Sequence, residues 1–281
     1  MNTPIATSPL LTVEKLSLTF GGVQAIAELS LEVRPGEVLA VIGPNGAGKT
    51  SLLNAVTRVF DPSGGHIRFK GQDLTALQRH QIANLGIART FQNIELFEAA
   101  TVLDNLLLGR HRFFQGHWWQ QVLRTPALTR LEEAALAEVE KVIDFLDLTP
   151  WRHAPIAGLP YGVRKVVELA RALCTEPKLL LLDEPSSGLN VEETDDMAFW
   201  IQDIKNELGV TVRMVEHDMT LFSKVSDRVL AMNQGEVLAM GTPREVQTDP
   251  GVIEAYLGSI DDVSSLRRQH KAVDLHTEVR S

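Results

Sequence analysis

The chain has 281 residues, 44% of them apolar and 22% charged, enough length to bury a substantial core in one domain that carries a subdomain. Its formal net charge of −9 argues against a nucleic-acid clamp, whose affinity comes from neutralising phosphates, so no nucleic-acid partner is expected. A single cysteine, Cys174, excludes an intrachain disulfide and, beside the apolar run Val166 to Leu173, reads as a small buried thiol in a reducing compartment.

Residues Met1 to Pro9 lack both a basic segment and a long apolar core, so no targeting peptide is expected there. No stretch reaches the ~18 apolar residues that a spanning helix needs, and work at a membrane would require other chains as anchor. Residues 11–42 alternate apolar and polar positions (Val13, Leu16, Leu18, then Leu29, Leu31, Val33), with turns at Gly21-Gly22 and Pro35-Gly36. They predict antiparallel strands leading into Val38–Ile42, an unbroken apolar run that reads as a strand buried on both faces.

That strand runs into Gly43-Pro44-Asn45-Gly46-Ala47-Gly48-Lys49-Thr50, followed by the helical pattern Ser51 to Val56. Strand, glycine-rich loop and helix in this order form a phosphate-binding loop. Gly43, Gly46 and Gly48 let successive backbone N–H groups turn inward towards phosphate oxygens, and the helix adds the positive end of its dipole. Lys49 would reach the β- and γ-phosphates, and the Thr50 hydroxyl would bind Mg2+.

Further along, His66 to Gly71 reads as a strand, and Gly86 to Gln92 as a strand ending in a polar residue. From about Thr101 to Leu173 the apolar spacing becomes helical, clearest in Leu131, Ala135, Leu136, Val139, Val142, Ile143 and Leu146, with breaks at Pro126, Pro150, Pro155 and Pro160. An inserted helical subdomain over about residues 93–175 is the expectation. Within it Phe113, Phe114, Trp118 and Trp119 read as packing rather than as a docking surface, and Glu132, Glu133, Glu138 and Glu140 as a solvated helix face. Strands Leu179–Asp183 and Val210–Glu216 flank a helix from Val191 to Leu208, a right-handed parallel crossover that makes the core α/β. A hairpin over Arg228 to Met240 turns at Asn233-Gln234-Gly235, and a short helix ends near Leu257. The expected organisation is one domain over residues 10–258, with an extension at 1–9 and a polar tail at 259–281.

Two further positions carry chemistry. Asp183 and Glu184 follow four leucines at the carboxyl end of a strand, where ligands bind in parallel sheets. Alone this would be a strand and an acidic turn; downstream of a phosphate loop it supplies one carboxylate for Mg2+ and one to take a proton from an attacking water. His217 ends the next strand, so it emerges at the same edge and can hydrogen-bond a γ-phosphate oxygen.

Gln92 after a strand, Leu159-Pro160-Tyr161-Gly162-Val163 before a helix, Ser187-Gly188-Leu189-Asn190 after the acids, and His217 occur in that order, and over residues 10–258 the chain resembles the ATPase subunit of an ABC transporter. The resemblance implies a P-loop NTPase core, a mixed sheet with an antiparallel β-rich part, and an inserted helical subdomain. It implies ATP and Mg2+ as ligands. Phe20 would stack on adenine, Gly43 to Ser51 would be the Walker A segment, and Tyr161 and Gly162 would contribute nucleotide contacts. Gln92 would touch Mg2+ and sense the permease, Asp183 would be the Walker B aspartate and Glu184 the catalytic glutamate. Ser187 to Asn190 matches the D-loop and His217 the switch histidine.

Ala88-Arg89-Thr90-Phe91-Gln92-Asn93, Thr101 to Leu106 and Val252 to Gly258 are similar to importers of branched-chain amino acids. That group implies a second ATPase subunit, identical or not, integral permease subunits, an external solute-binding protein, and a peripheral place on the cytoplasmic face of the inner membrane. One departure stands out: where the family reads Leu-Ser-Gly-Gly-Gln, Pro160 has neither hydroxyl nor N–H, and Val163 cannot donate as glutamine does. Each lost charge-assisted hydrogen bond would weaken a closed dimer by about 1.5–3 kcal/mol. Two alternatives therefore stand beside the importer: a regulatory module that binds ATP but scarcely hydrolyses it, and the ATPase of a lipid or lipopolysaccharide exporter.

Overall fold

The computed structural model of the protein describes residues 8–90, 94–113 and 126–256. Gln92, Phe114, Trp118, Trp119 and the tail lie outside the described residues.

Strands β1 (Leu11–Phe20) and β2 (Val23–Val33) form an antiparallel pair. Next come β3 (Val38–Ile42), α1 (Lys49–Val56), β4 (Gly64–Phe69) and β5 (Gln72–Asp73). Then follow α2 (Arg79–Asn84) and β6 (Ile87–Arg89). The helical stretch contains α3 (Val102–Gly109), α4 (Pro126–Phe145) and α5 (Tyr161–Leu173), with short 3-10 turns between them. The chain then returns through β7 (Leu179–Asp183), α6 (Val191–Asn206), β8 (Thr211–Val215) and α7 (Met219–Val225). It closes with β9 (Arg228–Asn233), β10 (Glu236–Gly241), α8 (Pro243–Gln247) and a helical segment at 250–256.

These strands build two sheets. One is antiparallel, in the order β2-β1-β4-β5; the other runs β10-β9-β3-β8-β7-β6, parallel except for the β10 edge. The central strands are buried along their whole length, and their period of two sends alternate residues to opposite cores. Val38, Ala40, Ile42, Leu180, Leu182, Val212 and Met214 face the helices α3 to α7. Leu39, Val41, Leu179, Leu181 and Val215 face α1 and the antiparallel sheet.

The helical stretch is tied down by polar contacts at its seams. Arg110 donates to the carbonyl of Cys174 at 3.1 Å and to Glu176 at 2.5 Å, and lies 4.0 Å over the Phe113 ring. Burial pushes the Cys174 thiol up to about 12, with Arg110 opposing the shift, so the thiol is inert. The expected solvated glutamate face holds only in part. Glu132 and Glu133 are exposed, whereas Glu140 is half-buried in an ion pair with Arg152, the residue that caps the 3-10 turn Thr149–Trp151.

Arg213 departs further from its expected apolar strand. It is fully buried on the α1 side of β8, and Nε, Nη1 and Nη2 all lack hydrogen-bond partners among the described residues. Burial pulls its guanidinium down to about 10, with nearby Asp183 pulling it up and Arg89 adding to the decrease; it is a desolvated cation at neutral pH. A buried cation whose nitrogens find no hydrogen-bond partner carries an uncompensated desolvation cost. Arg213→Leu is therefore expected to raise the midpoint of urea unfolding, an unchanged or lowered midpoint showing that the guanidinium is compensated.

Candidate functional site

The loop between β3 and α1 folds back on itself. Ala47 donates to the Pro44 carbonyl at 3.2 Å, and the Ala47 carbonyl accepts from Gly235 N–H at 3.1 Å. Gly235 also accepts from Ala27 N–H at 3.0 Å, so the β9–β10 turn braces the loop against β2. Gly48, with φ of 96°, is where a side chain is excluded twice: the backbone is left-handed, and a Cβ would stand 2.5 Å from the Ala25 carbonyl oxygen. Asn45, Gly46 and Thr50 are exposed at the loop mouth.

Lys49 is buried, and its Nζ donates to the carbonyls of Gly43 and Pro44 at 2.8 and 3.0 Å. Burial lowers its pKa, while Glu184 and Asp183 raise it, so the ammonium faces the two acids. From the far side, burial raises the Tyr256 hydroxyl and a hydrogen bond with the Gly43 backbone opposes this. The 250–256 helix thus touches the first residue of the loop.

Asp183 closes β7, with 2% of its surface exposed. Its Oδ2 accepts from Arg89 Nη2 at 2.9 Å, and Arg89 Nη1 donates to Asn54 Oδ1 at 2.6 Å on α1. Its Oδ1 is buried with no hydrogen-bond partner among the described residues. An orphaned carboxylate oxygen is costly unless it serves a ligand. With the Thr50 hydroxyl it fits Mg2+, which takes one or two protein oxygens and fills its remaining positions from phosphate and water. Among the described residues there is no cluster of three or more His, Cys, Asp or Glu side chains suited to an all-protein metal cage.

Glu184 has φ of 51°, an uncommon conformation for a side-chain-bearing residue, fixed by its N–H donating to the Val215 carbonyl at 2.9 Å. The twist brings its Oε1 within 2.6 Å of His217 Nε2. Lys165 of α5, itself buried, reaches the Glu184 carbonyl at 3.5 Å.

Glu184, His217, Asp183 and the Gly43–Ser51 loop therefore share the carboxyl edge of adjacent strands β3, β8 and β7. Phe20 sits partly exposed at the β1–β2 turn, edge-on to Phe60 with ring centroids 4.7 Å apart. Tyr161 and Gly162 begin α5 and lie against the chain's own segment after the acids: the Tyr161 hydroxyl donates to the Ser187 carbonyl at 3.3 Å. A Cβ at Gly162 would strike the Glu193 carboxylate. Asn190 caps α6, accepting from Glu193 N–H at 3.0 Å. Sequence reasoning missed Arg89, Asn54, Lys165 and Glu216; each is a polar residue inside an element whose pattern announced only packing. Gly48→Ala is expected to abolish binding of a fluorescent ATP analogue while leaving the circular dichroism spectrum native; retained affinity would show that the loop opens freely.

The profile of the ABC transporter family matches residues 26–187, and that of the branched-chain amino acid ATP-binding cassette transporter matches residues 236–262. The high-affinity branched-chain amino acid transport ATP-binding protein BraF of Pseudomonas aeruginosa is 40% identical over 250 residues, covering 89% of this chain and 98% of BraF. The corresponding LivG protein of Escherichia coli is 39% identical over the same shares. Among solved structures, the ADP conformation of MJ1267, an ATP-binding cassette of an ABC transporter, superposes with a TM-score of 0.79 at 29% identity. It covers 90% of this chain and 100% of that one.

Proposed function

The chain belongs to the ATP-binding subunits of ABC transporters, in the branched-chain amino acid group, and from that premise we propose that its ATPase activity drives uptake of branched-chain amino acids or related small solutes through a membrane permease. The observation that carries the chemistry is the 2.6 Å contact between Glu184 and His217 beside the phosphate loop. Residues 10–258 act as one ATPase domain, with the helical insertion at about 93–175.

In this reading the loop amides from Gly43 to Ser51 and the Lys49 ammonium hold the β- and γ-phosphates, and Phe20 offers its exposed ring to adenine. Mg2+, held by the Thr50 hydroxyl and by Asp183 through water, would neutralise charge on the phosphate oxygens. Glu184 accepts a proton from water as its oxygen bonds to the γ-phosphorus; the bond to the β-phosphate oxygen breaks, and ADP and phosphate leave. His217 orients the Glu184 carboxylate and can donate to a γ-phosphate oxygen. Gln92 is assigned by its place after β6 to the Mg2+ and permease link.

No described helix is long and apolar enough to cross a membrane. The proposed arrangement is peripheral, on the cytoplasmic face of the membrane, paired head to tail with a second ATPase subunit and seated on permease subunits that a solute-binding protein supplies. The relatives named for branched-chain amino acid transport support the importer over the lipid exporter. One observation favours the low-turnover regulatory reading: Pro160 at the N-cap of α5 makes no side-chain cap hydrogen bond.

Glu184→Gln is expected to lower kcat for ATP by roughly 10²–10⁴-fold with ATP affinity retained, while Lys49→Ala removes the affinity itself. Full turnover by Glu184→Gln would refute the assigned base. Restoring Pro160→Ser together with Val163→Gln is expected to raise turnover of the purified chain, since serine caps a helix that proline leaves uncapped; no gain would remove the basis of the regulatory reading.

A further inference from the structure

Glu216 stands between β8 and His217 with 1% of its surface exposed. Its Oε1 accepts from the backbone N–H of Ser186 at 2.9 Å, two residues beyond Glu184. Its Oε2 accepts from the backbone N–H groups of His217 and Asp218 at 2.9 and 3.1 Å. Its own N–H donates to the Val41 carbonyl at 3.2 Å, at the end of the strand that feeds the phosphate loop. One residue therefore touches all three segments of the site.

Three backbone N–H donors satisfy both oxygens of this buried side chain and make it a rigid anchor. The two segments it holds are those that carry Glu184 and His217. We propose that Glu216 is a positioning residue for ATP hydrolysis. It fixes the Ser186–Asn190 segment and the His217–Asp218 segment to one carboxylate, so that the Glu184–His217 contact forms only while both are seated. A movement of the Ser186–Asn190 segment then reaches His217 through two hydrogen bonds, with no change in the sheet.

The geometry distinguishes this from plain packing. Every donor is a backbone N–H, so an isosteric amide cannot serve both sides. In Glu216→Gln one terminus stays an acceptor while the other becomes an NH2 facing an N–H, and one segment is released although size and shape are kept. Glu216→Ala releases both.

The test uses the full-length chain and Glu216→Gln, with Glu216→Ala as the second variant. Backbone amide exchange is followed by mass spectrometry on peptides covering 184–190, 216–221 and, as control, 43–50; kcat, KM for ATP and the thermal midpoint are measured beside it. The expected result is faster exchange in one of the two site peptides for Glu216→Gln and in both for Glu216→Ala, with the control unchanged. For Glu216→Gln it also includes a kcat lowered at least tenfold, KM within twofold of the parent chain, and a thermal midpoint shifted by only a few degrees. Unchanged kcat with loosened peptides would overturn the proposal, as would faster exchange confined to one segment in Glu216→Ala. A loss of kcat, KM and thermal midpoint together in both variants would reduce Glu216 to a structural residue and overturn it as well.

Discussion

Val215 of β8 lies in register with Val41 of β3 on one side and with Asp183 of β7 on the other. Two residues past Val41 the phosphate loop begins; one past Asp183 stands Glu184; two past Val215 stands His217. All three leave the sheet at the same height because parallel strands end their carboxyl edges together. A slip of one residue in β8 would turn Val215 towards the wrong core and carry His217 to the other face. The two hydrophobic clusters on either side of the sheet thus hold the catalytic register, and the chemistry depends on packing that never touches substrate.

That register also concentrates charge. Asp183 sits inside the α1-facing core with Arg89 bonded to one oxygen, Arg213 near by, and Lys49 across the loop. Arg89 ties Asp183 to Asn54 on α1 and to Thr57 at its C-cap, at 2.6 and 3.3 Å through Nη1, so the helix that follows the phosphate loop and the strand that ends in the acids are joined by one guanidinium. The free oxygen of Asp183 is what remains for a metal. Burying two cations beside one carboxylate that, among the described residues, only Arg89 bonds costs stability, and the exchange resembles other sites where strain or desolvation is retained beside reacting groups.

Much of this could be read in the chain before any coordinates. The unbroken run Val38–Ile42 announced a strand buried on both faces, and the glycines after it announced the loop, because those requirements are local: a period, a turn conformation, a helix start. The β9–β10 hairpin was legible from Asn233-Gln234-Gly235, but its brace on Ala47 was not, since nothing local couples residue 235 to residue 47. The inward charges Arg89, Arg213 and Glu216 were hidden for the same reason. Inside a β pattern a lone polar residue reads as a surface position until long-range pairing shows which neighbours bury it. Of the strand predicted from Gly86 to Gln92, the described residues form Ile87–Arg89, paired with Leu179 to Leu181 of β7.

The start of α5 shows how the helical segment and the site are mechanically connected within one chain. The Tyr161 ring lies against Gly188, where any Cβ would collide with it, and its hydroxyl bonds Ser187. One turn later Lys165 reaches the carbonyl of Glu184 and lies 6.0 Å from the Tyr161 ring centroid. A rotation of α5 would therefore move Ser187 and Glu184 through direct contacts rather than through the sheet. Pro160 has a consequence in this setting: with φ fixed near its observed −54° and no N–H, it sets the angle at which the chain enters α5 without anchoring the helix end by a side-chain bond. In place of a cap, Tyr161 and Lys165 tie the start of α5 to the carbonyls of Ser187 and Glu184, so its position depends on the state of the residues around Glu184.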